Sequence, residues 1–600
     1  MSFVKLVEEK LKAKDYKNVA TVLRDEKNKA NLHADCMEIV SVLISHLTEE
    51  TLRDDFTLFT ACEDLLKIVA GKCIPQEVLF ELLERIELTK NDDAFTSLLK
   101  VLQVVLLRLK ENKARSLEWS LNSVSCYITG ISLPDYMANI TEEGEKLLES
   151  DETIRRILQL YITVLLFLEP IVQKFTSVPK EVFCKTGITR RNVVICFILQ
   201  LMGNPLVFLD VHHSEGLNSN NATPVKFGDK TYTRQVAEEL VSALMNLQGD
   251  PFHLLQYGER RARWPPKKAR KTTGVFEEAS RDIFMSDEKC PLLSLAMLCY
   301  LLFGENLSTS YPKVYLPQYI YEIGLYHCTQ LMNHHQAVVH YKGILLARNL
   351  EKVLGDVKLK SDDLDLAIHQ LFCTSLSKII VYSSVERNRK EGTFLLRNYI
   401  YKFDADGRYL VIANLFKTVQ HNGLLSFIAT IYKDFIHKEL NSTDSPNPRF
   451  TGHYLKHLLM NEICVLKKGI ETDLVENSDT IISGLNILRF LLIRDKHNYT
   501  SIWSYIAEID LNFLQPLRKS IDYARAHFKE EQSNVVARGE GSNHTDMDIS
   551  IDILNGDNFP KLTKDKKLNL LAMALNNFDL MDCILARVVE CMNAKPIHST

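Results

Sequence analysis

The stretch GIETDLVENSDTIISGLNILRFLLIRD, Gly469 to Asp495, changes character halfway. It opens with acids, amides and hydroxyls and closes as one of the most apolar segments of the chain. Ile481, Leu485, Leu488 and Leu492 recur at helical spacing, and Ile487 and Leu491 widen the stripe. That is the signature of a helix with one buried face. Asn477 or Ser478 can cap its start, and Asp479 suits the first turn, where the helix dipole favours a negative charge. Gly484 permits a neighbouring helix to approach closely. No metal ligand set or phosphate loop sits here, so the segment reads as scaffold.

The design repeats outward. Ile502, Ile506, Ile509 and Phe513 form the next stripe, with Trp503 off it. Pro516 ends or kinks that helix, and Leu517, Ile521, Ala524 and Phe528 begin another. Far upstream, SLLKVLQVVLLRLK places Leu98, Val101, Leu102, Val105 and Leu109 on one face. Near the other end Leu568, Leu571, Leu575 and Phe578 do the same, and Met581, Ile584, Leu585 and Val588 continue on what reads as a second helix. Polar corners separate the helices. KFDADGRYL offers Gly407 for a positive φ, and Asn422-Gly423 marks another turn. Asp404 and Asp406 lack the further oxygen ligands and closing Glu of a calcium loop.

Helices without strand partners must bury their stripes against each other. The reading is all-α: an irregular HEAT-like α-solenoid of stacked helix pairs, with roughly forty residues per pair. A large globular helical array is the alternative. Three segments rich in Gly, Asn, Pro and charge interrupt the pattern, at 210–230, 259–274 and from Ser533. The middle one divides the chain into N-terminal repeats 1–258, a basic linker 259–274 and C-terminal repeats 275–600.

A chain of 600 residues exceeds what one core supports, and 46% hydrophobic with 25% charged residues reads as folded and soluble. The formal charge of −4 gives no global attraction to nucleic acid or anionic lipid. The start, MSFVKLVEEKLK, lacks the apolar core of a secretory signal. The longest apolar runs, Leu160–Leu168 and Pro291–Phe303, fall short of the ~20 residues that span a bilayer. The expected location is the cytoplasm, with the nucleus as a further one. Thirteen cysteines form no C-x-x-C; Cys62, Cys196, Cys299, Cys373 and Cys583 lie in apolar helical patterns and read as buried reduced thiols.

Enzyme signatures are absent. GEGSNH at Gly539 lacks the third glycine of a dinucleotide loop, and Gly71-Lys72 is followed by Cys73 instead of Ser or Thr. His327, Cys328, His334, His335 and His340 cluster, but the histidine spacings of five, six and seven are wrong for one helical metal face. No catalytic, cofactor or metal site is expected. Arg260, Arg261, Arg263, Lys267, Lys268, Arg270 and Lys271, with Trp264 among them, read as a solvated loop, a nuclear-import signal or a phosphate-binding patch.

Three blocks carry a resemblance: RFTG at Arg449, ETDLVENSDTIISGLNILRFLLIRD, and NFLQPLRKSIDYARAHFKEE from Asn512. Together they resemble the glomulin (FKBP-associated protein) family, and weaker similarity extends over most of the chain. The resemblance implies a non-enzymatic HEAT-like solenoid that binds the RING-box subunit of cullin–RING ubiquitin ligases, and cullin through it. Its C-terminal repeats would cover the surface that recruits the ubiquitin-conjugating enzyme. An FKBP immunophilin is a further implied partner, and the zinc belongs to the RING. A mask for a shallow apolar surface with polar edges needs apolar anchors ringed by arginines. The off-stripe residues Arg489, Arg494, Trp503, Asn512, Leu514, Arg518, Tyr523 and Arg525 supply that mixture. The alternative is a solenoid adaptor that carries cargo or, less favoured, nucleic acid through the basic segment.

Overall fold

The computed structural model describes residues 3–110, 114–134, 151–176, 187–211, 231–264, 282–307, 314–441, 447–537 and 564–594. Most of the 210–230 and 259–274 segments, the GEGSNH motif, and Lys267, Lys268, Arg270 and Lys271 lie outside these. Among the described residues the only β pairing is an isolated bridge between Leu359 and Phe403. The fold is all-α and solenoid-like. By packing, the chain forms two compact units: residues 1–356 with 384–388, and 357–383 with 389–600. That division falls after Asp356, whereas composition drew it at 259–274, and Glu259–Arg263 is the end of a helix.

In the first unit the helices needed below are α1 (Phe56–Lys72), α2 (Pro75–Leu88), α3 (Asp92–Arg108), α4 (Ala114–Thr129), α5 (Glu152–Thr176), α6 (Arg190–Met202), α7 (Tyr232–Leu247) and α8 (Phe252–Arg263). Local chemistry starts them. Pro75 occupies the first turn of α2, where no amide hydrogen is needed. Asn91 Oδ1 accepts from Ala94 N at 2.9 Å to cap α3, and Thr189 caps α6 through Asn192 N. Helices then pack on neighbours two along: α1, α3, α5 and α7 form one row, and α2, α4 and α6 a second. This alternation is the two-layer arrangement of stacked helix pairs. The stripe read from Leu98, Val101, Leu102, Val105 and Leu109 is fully buried between the rows.

The second unit contains α9 (Asn422–Leu440), α10 (Ser478–Arg494), α11 (Ile502–Ile509), α12 (Gln515–Ala537) and α13 (Lys564–Asn593). Here α10 packs on α9, and α13 packs on both α10 and α12. The two C-terminal helices expected from the stripe are one continuous helix, α13. Ala574, Phe578, Met581, Ile584, Leu585 and Val588 are all buried along it, and no Gly or Pro interrupts it. The corner at Asp404 also differs from expectation. Asp404 Oδ1 accepts from Gly407 N at 2.7 Å and caps the next helix, so Gly407 lies in a helical turn with ordinary φ.

Two further expectations are corrected. Glu152–Thr176, Arg190–Phe208 and Asp565–Asn593 are long and apolar enough to cross a membrane, judged by length and composition. Helix length, which tolerates scattered polar residues, exceeds the uninterrupted apolar runs that the sequence shows. In Arg190–Phe208 the apolar window is 83% buried inside the protein. Of the five cysteines read as buried, Cys62, Cys196, Cys299 and Cys373 are, but Cys583 is exposed on the outer side of α13.

Candidate functional site

The RFTG block builds the entry to the C-terminal face. Phe450 is fully buried, its ring centroid 5.6 Å from Phe435 and 5.9 Å from Tyr432. Arg449 Nε donates to Asp406 Oδ1 at 2.7 Å while its guanidinium stacks 4.3 Å from the Tyr454 ring centroid. Gly452 takes φ +54, a left-handed conformation that a side chain would strain. The helix that follows delivers Ile463 against α10. A Cβ on Gly484 would stand 3.2 Å from the Ile463 carbonyl oxygen, so the close approach read from sequence is real.

With Ile481, Leu485, Ile487, Leu488, Leu491 and Leu492 buried, α10 leaves Asn486, Arg489 and Ile493 outward, three and four residues apart. On its α9 side, Ser426 and Ser483 hydroxyls meet at 2.6 Å. Beyond that bond the helices enclose a groove of about 500 Å³ lined by Lys433, Arg489, Phe490, Ile493 and Arg494 among others. Among the described residues none that line it is acidic, and neither Arg489 nor Arg494 has an ion pair. Ile493 is 48% exposed, and Phe490 is half-buried, edge-on to His437. Three cations thus surround an apolar centre. Such a groove fits a partner patch with an apolar core and carboxylates or carbonyls at its edge.

The remaining sequence-predicted residues lie on α11, α12 and the turn between them. Asp495 organises the connection from α10: its buried carboxylate accepts from Tyr499 N and Thr500 N, both at 2.8 Å. Trp503 is half-buried, and its indole N–H is sequestered without a partner among the described residues. Asp510–Leu514 is a π-helical turn, with Gln515 N donating to Asp510 O. The extra residue in that turn rotates Leu514 inward beside Phe513, where it is 2% exposed, and leaves Leu511 outside at 64%. Leu514 is therefore core, not an anchor, and Leu511 takes the surface position. Asn512, Arg518 and Tyr523 are exposed. Arg525 is held within the protein by Asp579 and Asp582 of α13, both at 3.0 Å.

The structure thus brings Arg489 and Arg494 together and adds Lys433, Phe490 and Ile493, which sequence reasoning missed. Arg489 to Ile493 is a helical spacing of four, so Ile493 was readable as surface. Lys433 was not, because only the pairing of α9 with α10 brings it near.

The basic segment and the His/Cys cluster resolve differently. Arg260 lies over the Tyr257 ring at 4.9 Å. Arg261 is buried: its Nε donates to Phe284 O at 3.0 Å and its Nη2 to Cys290 O at 2.6 Å. It is a core residue instead of part of a solvated loop, whereas Trp264 is exposed. His327 is fully buried with Nε2 donating to Leu255 O at 2.9 Å, and burial lowers its pKa to about 4. The His334 and His335 rings lie tilted against each other with centroids 4.1 Å apart. Among the described residues no three His, Cys, Asp or Glu side chains gather as a metal site.

Comparison with known proteins places this architecture. Residues 1–556 match the sequence model of a family described as an uncharacterised protein family, YAP/Alf4/glomulin. Glomulin of Mus musculus is 25% identical over 586 residues, covering 96% of this chain and 90% of that protein. Glomulin of Homo sapiens is 26% identical over the same shares. The chain belongs to the YAP/Alf4/glomulin family, which supports a glomulin-type role in protein interaction.

Proposed function

We propose that this protein is a non-enzymatic inhibitor of cullin–RING ubiquitin ligases. It binds the RING-box subunit, and cullin through it, and covers the surface that recruits the ubiquitin-conjugating enzyme. The observation that supports this most is the α9–α10 groove, with Lys433, Arg489 and Arg494 around Ile493 and no carboxylate among its described lining residues. Its α10 side lies in a block whose residues carry the family resemblance. Inhibition by masking requires geometry and charge, not chemistry, in keeping with the scaffold character of the C-terminal helices. An FKBP immunophilin is a further proposed partner, with the cytoplasm and nucleus as sites of action.

The test is reconstituted ubiquitin-chain synthesis by a cullin–RING-box complex. Wild-type protein should suppress it and bind the RING-box subunit, and K433E/R489E/R494E should do neither while keeping its helical spectrum and melting temperature. A folded wild-type protein without affinity for the RING-box subunit would overturn the function. Full inhibition by the triple variant would move the contact elsewhere on the C-terminal unit.

A further inference from the structure

A second groove lies in the first unit, between α5 and α7, which are successive helices of one row. It encloses about 640 Å³. From α5 it takes Ile162, Leu166 and Glu169, spaced four and three apart, so one side of that helix faces it. Leu166 is 63% exposed, and Tyr232 at the start of α7 is 61% exposed. Apolar side chains of this size, gathered in one concavity, mark interaction surfaces more often than scattered ones do. From α7 come the small residues Ser242 and Ala243, which leave room for an incoming side chain.

The charge is one-sided. Among the described residues, Glu169, Glu238 and Glu239 line the groove and no Lys or Arg does. Glu238 shares its charge with Arg234, 3.5 Å away. Among the described residues, Glu169 accepts from the neutral Gln173 amide, at 3.2 Å, and from no cation. An apolar channel between two helices with acidic edges is complementary to an amphipathic helix whose apolar stripe is flanked by lysine or arginine. The same carboxylates oppose an anionic bilayer surface.

We infer that the α5–α7 groove docks a basic amphipathic helix of a partner protein, independently of the C-terminal face. The experiment uses the full chain and a fluorescent synthetic peptide of about 18 residues, with leucines at i, i+3, i+4 and i+7 and lysines elsewhere. Fluorescence anisotropy should show binding, and the same peptide with glutamate for lysine should not bind. L166D and the double variant E169K/E239K should each weaken binding about tenfold or more. E9K/E50K, with the same charge change at exposed sites on the N-terminal helices of the same unit, should bind as wild type. Equal loss in the remote double variant, or equal binding of the glutamate peptide, would overturn the groove. Self-association, or binding to phosphatidylserine vesicles, that L166D abolishes would replace the basic helix with a second copy or a membrane.

Discussion

Arg525 on α12 donates through one nitrogen to both Asp579 and Asp582 on α13, each at 3.0 Å. Three residues on, Phe528 meets Phe578 edge-on at 5.2 Å. The guanidinium therefore holds the C-terminal helix in place. R525A should lower stability by about 0.5–1 kcal/mol, the range for partly exposed ion pairs, and the loss should shrink in high salt. Thermal melts at two salt concentrations check this. Affinity for the RING-box subunit, measured well below the melting temperature, should change little.

On α10, two apolar residues eight apart should behave oppositely. Leu485 is fully buried, and L485A should cost about 2–5 kcal/mol through lost burial and a residual cavity. Ile493 is half exposed in the cationic groove, and I493A should leave stability within about 0.5 kcal/mol. Under the proposed function, the same change should weaken RING-box binding by about 1–2 kcal/mol. Urea denaturation paired with calorimetric titration separates the two effects.

Arg261 should tolerate nothing. Its removal leaves the carbonyls of Phe284 and Cys290 without their donor inside the protein. R261M should destabilise the first unit by about 2–4 kcal/mol. The exposed neighbour Trp264 should tolerate alanine within about 0.5 kcal/mol. A melt of R261M indistinguishable from wild type would contradict the burial of this side chain.

Stability should fall in mild acid, in part through His327. Burial, the largest cause, lowers its folded pKa to about 4 from the ordinary 6.5, against the Leu255 hydrogen bond that raises it, while the Arg261 charge lowers it further. A depressed base binds its proton first in the unfolded chain, so stability is retained above pH 6.5 and lost as pH falls from there towards 4. At pH 5 this one group should cost on the order of 1–2 kcal/mol relative to pH 7. H327Q should show a smaller drop between those two values in urea denaturation. An equal drop would assign the acid sensitivity to other groups, such as His369, whose pKa burial also lowers to about 4.

The helices themselves were legible in the sequence because burial imposes a 3.6-residue period on the residues it selects. The stripes through Leu98 to Leu109, Ile481 to Leu492 and Ile502 to Phe513 are buried as read. So was the need for a close approach at Gly484, since a missing side chain inside an apolar stripe has few other uses. Sequence also placed Arg489 and Arg494 outside the core. It could not show that Lys433 joins them, because that depends on which helix lies beside α10. Nor could it show the π turn at Asp510–Leu514, where one extra residue exchanges the positions of Leu511 and Leu514. Periodicity assumes regular geometry, and only tertiary packing decides where that geometry breaks. Arg261 makes the same point from the charge side. A cation in a basic run reads as solvated until the fold supplies the carbonyls that let it be buried.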